Sequence, residues 1–275
     1  MLASTHTILD KGTIIINYEE EPDTIPPPAV VIFPMNSKTT PEQHGGGWKY
    51  NNQSNCNDMS GEDFIKCFNT ISYSAEDVIY YTSTDQQTYV AFDNFNTWLN
   101  IKRFFVDSKD GMALSVEIEN GTVISNDIWS TFSFKMNSDL SYLIYIMDES
   151  LQFITGSPNI VPRSVLSWIR KGNGNNILYL KVIKHEKLNR PDRPCDPSPD
   201  YSWAKCLDRS LMTRAGCQPP WRRVSVEDVP VCDNKTLLDS YETEYWIYYN
   251  MDKKRLFKET NCLMPCSFME YKVCF

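Results

Sequence analysis

Residues 195–232 read CDPSPDYSWAKCLDRSLMTRAGCQPPWRRVSVEDVPVC, and residues 262–271 read CLMPCSFMEY. Together they hold six of the nine cysteines, at 195, 206, 217, 232, 262 and 266. A cytosolic protein rarely carries such a density except for metal or redox work. Zinc needs paired short spacings such as C-x2-C with a second pair or histidine partners. Here the one close pair is Cys262–Cys266, and the three histidines, His6, His44 and His185, lie far off in sequence. Disulfides are therefore the expected use.

The residues between these cysteines predict two helices. Over Tyr201–Ala215, Asp200 or Ser202 caps the start, and Trp203, Cys206, Leu207 and Leu211 share one face. Gly216 suits the C′ position, and Pro219-Pro220 prevent continuation. A second helix is predicted over Leu237–Phe257, capped by Asp233 or Asn234. Leu237, Leu238, Tyr241, Tyr245 and Tyr248 form its apolar face. Six cysteines allow 15 connectivities, and spacing does not choose among them. A nested set, Cys195–Cys266, Cys206–Cys262 and Cys217–Cys232, requires only that the helices run antiparallel. Closing the shortest of these loops is worth about 3 kcal/mol in the chain-entropy account, and the longer ones about 4 each. Such an arrangement is a stiff rod, not a catalytic pocket.

Outward from this region the chain is richer in strands. Residues 12–35 read as a strand, an acidic bend broken by prolines, and a second extended segment; Pro26, Pro27 and Pro28 exclude a central strand across those three positions. Residues 36–60, with His44-Gly45-Gly46-Gly47, read as loop. Ser60-Gly61-Glu62-Asp63 and Ser74-Ala75-Glu76-Asp77 read as helix starts with acid in the first turn. Met112, Leu114, Val116 and Ile118 alternate with Ala113, Ser115, Glu117 and Glu119, a strand over 111–121 with one wet face. Tyr142–Met147 and Ile177–Ile183 are further strands, the latter after the turn Gly172-Asn173-Gly174.

Composition bounds the function. The 275 residues carry 27 Lys+Arg against 35 Asp+Glu, a formal charge of −8, with 41% hydrophobic residues. That supports a sizeable core and argues against nucleic acid as partner, since phosphate binding needs a basic face. It says nothing against a cation. No run approaches the roughly 18 apolar residues of a membrane span. Three sequons, at Asn52, Asn120 and Asn234, agree with an extracellular chain, yet Met1–Ile16 shows no basic n-region, apolar stretch or cleavage site. No G-x-S-x-G, H-E-x-x-H or phosphate loop occurs, and His185, beside Lys184 and Glu186, reads as a solvated strand-end residue, so no enzyme is expected.

Leu188-Asn189-Arg190-Pro191 to Cys195, Tyr201-Ser202-Trp203-Ala204-Lys205-Cys206, Gly216-Cys217-Gln218-Pro219-Pro220-Trp221, Pro230-Val231-Cys232 and Cys262-Leu263-Met264-Pro265-Cys266 to Glu270-Tyr271 resemble one family. It is the extracellular region of the degenerin / epithelial sodium channel / acid-sensing channel family, especially its arthropod members. Pro28–Ile32 resembles the stretch that follows that family's first membrane helix. The resemblance is strong over 160–275, moderate over 12–35 and 110–160, and slight over 36–105.

The resemblance implies an α+β fold: an antiparallel β palm and β-ball core, a helical finger and a disulfide-braced two-helix thumb. Its divisions would be 1–35 (post-membrane segment and palm strands), 36–105 (finger-like helix and loop), 106–189 (β-ball and palm strands), 190–266 (thumb) and 267–275 (start of a palm return strand). Cys56–Cys67 would cross-link the finger. It implies a subunit of a homo- or hetero-trimeric, amiloride-sensitive channel at the plasma membrane, passing sodium through a pore this chain does not contain. The gating ligand would be an extracellular peptide, a proton or a matrix component; no cofactor or metal is implied. Asp239, Glu242 and Glu244 stand where relatives place acids facing the finger. Packed against Glu62, Asp63, Glu76 or Asp77, they would form a proton or divalent-cation sensor. Departures are clear: Phe33 stands where relatives carry a palm cysteine, Ser202 and Ala215 where many carry thumb cysteines, and Cys274 has no obvious partner. Both membrane helices lie outside these residues. The alternative expectation is a soluble secreted binding or regulatory module derived from such a channel.

Overall fold

The computed structural model describes residues 6–10, 13–17, 24–26, 28–35, 56–71, 89–92, 95–107, 111–118, 124–125, 141–152, 164–169, 179–221 and 225–274. The readings at Asn52, Asn120, His44–Gly47, Ser74–Asp77 and Gly172–Gly174 lie outside them. The fold mixes helix and strand.

Its centre is a six-stranded sheet in the order β10-β9-β4-β7-β6-β5, every neighbouring pair antiparallel. The strands are β4 (Ala29–Met35), β5 (Tyr89–Phe92), β6 (Phe95–Asp107), β7 (Gly111–Ile118), β9 (Ser141–Met147) and β10 (Ser164–Ile169). β4 is apolar on both faces, and Val31, Ile32 and Phe33 are almost wholly buried, as expected of a strand flanked on both sides. Its Pro34 pairs with Tyr142 of β9, but pairing with β7 stops at Ile32. The residue without an N–H thus lies where one neighbour has ended. Phe33 meets Tyr145 edge-on, ring centroids 5.4 Å apart.

Two expectations about this sheet fail. Residues 89–92 and 95–105, within the stretch expected as finger-like helix or loop, form β5 and most of β6. The aromatic and β-branched content of Tyr89-Val90-Ala91-Phe92 and of Phe95 to Val106 favours strand. In β7 both Leu114 and Ser115 are fully buried: Ser115, on the expected wet face, accepts a hydrogen bond from Gln152. Gln152, which follows a 3-10 turn over Glu149–Leu151, is itself almost wholly buried.

Among the described residues, three further strand pairs are separate from this sheet: β1 (His6–Asp10) with β2 (Thr13–Asn17), β3 (Thr24–Ile25) with β8 (Ile124–Ser125), and a long ribbon of β11 (Tyr179–Glu186) with β12 (Ser267–Cys274). The ribbon pairs Tyr179 with Cys274 and Glu186 with Ser267.

The helices are α1 (Gly61–Ile71), α2 (Trp203–Ala215), α3 (Lys235–Asn250) and α4 (Lys253–Thr260). Ser202 caps α2, its hydroxyl accepting from Lys205 N–H at 3.3 Å, and Gly216 ends it at φ 74. Asn234 caps α3 through Leu237 N–H at 3.0 Å. The single helix expected over 237–257 is two: Met251 is extended (ψ 142) and buried, and Asp252 caps α4 through Arg255 N–H at 2.9 Å. A fresh cap one residue past an extended residue restarts the helix in a new direction. One core joins these parts, with Val31, Phe33 and Tyr145 of the sheet, Phe64 of α1, Trp203, Leu207 and Leu211 of α2, and Tyr241, Tyr245 and Tyr248 of α3. Each such side chain contributes about 1.5–3 kcal/mol on burial.

Candidate functional site

Residues 187–266 form a cross-linked helical unit carried at one end of the β11–β12 ribbon. Three disulfides hold it: Cys195–Cys266, Cys206–Cys262 and Cys217–Cys232, with Cα separations of 5.0, 5.8 and 5.1 Å. This is the nested set. A fourth, Cys56–Cys67 (Cα 5.8 Å), ties α1 to the turn before it.

Backbone bonds reinforce the first and third rungs. Asp196 N–H donates to Met264 O at 2.9 Å, and Cys266 N–H to Asp196 O at 2.8 Å. Gln218 N–H donates to Pro230 O at 2.8 Å, and Cys232 N–H to Gln218 O at 2.9 Å. The buried Gln218 side chain also donates to Val226 O and Val229 O and accepts from Val226 N–H, so one amide organises the loop that Cys217–Cys232 closes.

Arg214, in the last turn of α2, is the electrostatic hub. Its Nε lies 2.6 Å from Glu244 of α3, a terminal nitrogen 3.1 Å from Glu259 of α4, and its guanidinium 5.9 Å from the Tyr248 ring. It joins all three helices. Sequence reading missed it because its partners lie 30 and 45 residues away.

Asp148 joins the central sheet to the ribbon. One carboxylate oxygen accepts from Ser150 N–H (2.8 Å) and Ser150 hydroxyl (2.6 Å), and the other from Met269 N–H of β12 (2.7 Å). Ser202, the α2 cap, donates to Ser150 O at 3.4 Å. Tyr271 of β12 donates to Pro26 O at 2.7 Å, and burial pushes its phenol well above the usual range.

The N-terminus of α1 meets that of α3: Gly61 N–H donates to Asp233 O at 2.7 Å, and Ser60 bridges Asn234. The three acids of α3, Asp239, Glu242 and Glu244, have different surroundings. Asp239 pairs with Lys235 and Glu244 with Arg214, while Glu62 of α1 pairs with Lys66. Glu242 has its pKa raised, first by burial and then by Asp239, with Lys235 opposing. Asn234, a sequon residue, is half-buried, and its amide donates to Asp233 at 3.0 Å. His185 is not simply solvated: it stacks on Phe268 at 4.8 Å and lies 2.8 Å from Glu270.

Among the described residues no three His, Cys, Asp or Glu side chains group so as to hold a metal ion, and no helix is long and apolar enough to cross a membrane. Four disulfides belong to an extracellular or secreted environment. No family model matches the chain, and no curated protein matches it.

Proposed function

We propose that this chain is the extracellular domain of a subunit of an amiloride-sensitive sodium channel of the degenerin / epithelial sodium channel / acid-sensing kind. In this reading the subunit works as a trimer in the plasma membrane, and membrane helices outside these residues form the pore. One observation carries it: the sequence C-L-x-P-C-x-x-x-E-Y runs from the two outer rungs, Cys262 and Cys266, directly into β12. Cys195 and Cys206 on the other side lead back into β11, so the cross-linked unit is anchored through both strands at one end of the ribbon. Displacing the helical unit would therefore move β11 and β12 together. Phe33, where relatives carry a cysteine, is instead buried against Tyr145.

In this reading the cross-linked helices sense the stimulus and the ribbon carries it towards the pore. The test is to extend the transcript in both directions and express the complete subunit in oocytes under voltage clamp. Flanking apolar segments of about 20 residues and an amiloride-blocked sodium current support the proposal. Stop codons on both sides, with the chain recovered from the medium, would replace it with the secreted module.

A further inference from the structure

Two segments at the root of the helical unit differ in character from the rest of this acidic chain. Residues 187–194 (KLNRPDRP) and α4 (KKRLFKET) carry seven Lys and Arg against two Asp and Glu, while the whole chain carries −8. The same segments hold two of the three large apolar side chains exposed among the described residues. These are Leu188, 78% exposed, and Phe257, 37% exposed.

The segments adjoin. Lys187 N–H donates to Cys266 O at 2.8 Å, and Cys195–Cys266 ties the first segment to the chain that follows α4. The Lys187 ammonium sits 4.6 Å from the centre of the Phe268 ring. Burial, and then the nearby Lys253 ammonium, bring its pKa down to about 8. Helical spacing puts Lys253 and Lys254 one turn before Phe257 on the same stripe. Arg190 is paired with Asp192 and Arg255 with Glu259. No carboxylate pairs with Lys187, Lys253 or Lys254 among the described residues.

Unpaired ammoniums in this proximity are relieved by an anion from outside. A soluble polyanion would use the charges alone. Exposed Leu and Phe side chains set among the cations gain only where an apolar phase lies beneath the anionic layer, as at a lipid headgroup boundary. We propose that Leu188 and Phe257, with Lys187, Arg193, Lys253 and Lys254, form a docking face for a membrane leaflet rich in anionic phospholipid. The inference stands apart from the channel reading, because a secreted chain would bind vesicles equally well.

The test is flotation of the disulfide-bonded chain with phosphatidylcholine vesicles, with and without about 30% phosphatidylserine. Binding is expected to the anionic vesicles only, weakening with salt. Neutralising Lys253 and Lys254 with glutamine lowers the partition about fivefold per charge. Leu188→Ser lowers it about threefold or more, with the salt dependence unchanged. All three side chains are exposed, so the variants keep their disulfides and melting midpoints. Absence of flotation overturns the proposal. So does retention on a sulfated glycosaminoglycan column without vesicle binding, which would make the partner a soluble polyanion. So does full binding by Leu188→Ser, since charge alone would then suffice.

Discussion

Removing the middle rung, with both Cys206 and Cys262 changed to alanine, tests the nesting of the disulfides quantitatively. In isolation this cross-link closes a loop of 56 residues, worth about 4 kcal/mol in the chain-entropy account. It is not isolated. With Cys195–Cys266 intact, the unfolded chain is already closed outside it. The middle rung then adds only the small ring from Cys195 to Cys206 and from Cys262 to Cys266, about 15 residues, worth about 3 kcal/mol. The loss in the otherwise native chain should therefore be about 3 kcal/mol, a melting midpoint about 6–12 °C lower. In a background lacking Cys195 and Cys266 the same change should cost about 1 kcal/mol more. The lost packing of the two sulfurs is common to both backgrounds and cancels in the difference. Urea midpoints of the four proteins at pH 7, without reductant, measure it. A loss below about 1 kcal/mol in the native background would refute the reasoning. A loss larger there than in the stripped background would refute it as well.

Two further outcomes follow from single side chains. Gly216→Ala meets no heavy atom within 4 Å of the new Cβ, but φ is 74, so backbone strain alone should cost about 1–2 kcal/mol by urea denaturation; a larger loss would mean a clash at the end of α2. Glu242 is the opposite case. Its pKa is raised in the fold, chiefly by burial, so the folded chain holds that proton more tightly than the unfolded one. Its contribution to stability is present at acid pH and lost as pH rises through the folded value. Glu242→Gln should therefore raise the urea midpoint at pH 7, with the gain shrinking towards pH 4, and a lower midpoint at pH 7 would show the carboxylate to be favourably paired.

The helical unit was legible because its signals are local. Ser202, Asn234 and Gly216 act within one turn of their helices, and the cap positions and the face of Trp203, Leu207 and Leu211 can be read without knowing any partner. The break at Met251 was not legible. Asp252 is an ordinary helix residue until Met251 is extended and buried, and only packing decides that. β7 shows the same division: its period of two is in the chain, but the burial of Ser115 depends on Gln152, 37 residues away.

The sequence by itself determined where disulfides could form, where α2 begins and ends, and which strands alternate, because these follow from spacing and from bonds between near neighbours. The tertiary structure alone decided which of the 15 pairings occurs, that Arg214 joins three helices, that Asp148 ties the sheet to the ribbon, and that the chain at Lys187 lies against the chain at Cys266. Those contacts span tens of residues, and chain spacing carries no information about approaches that only the folded core brings about.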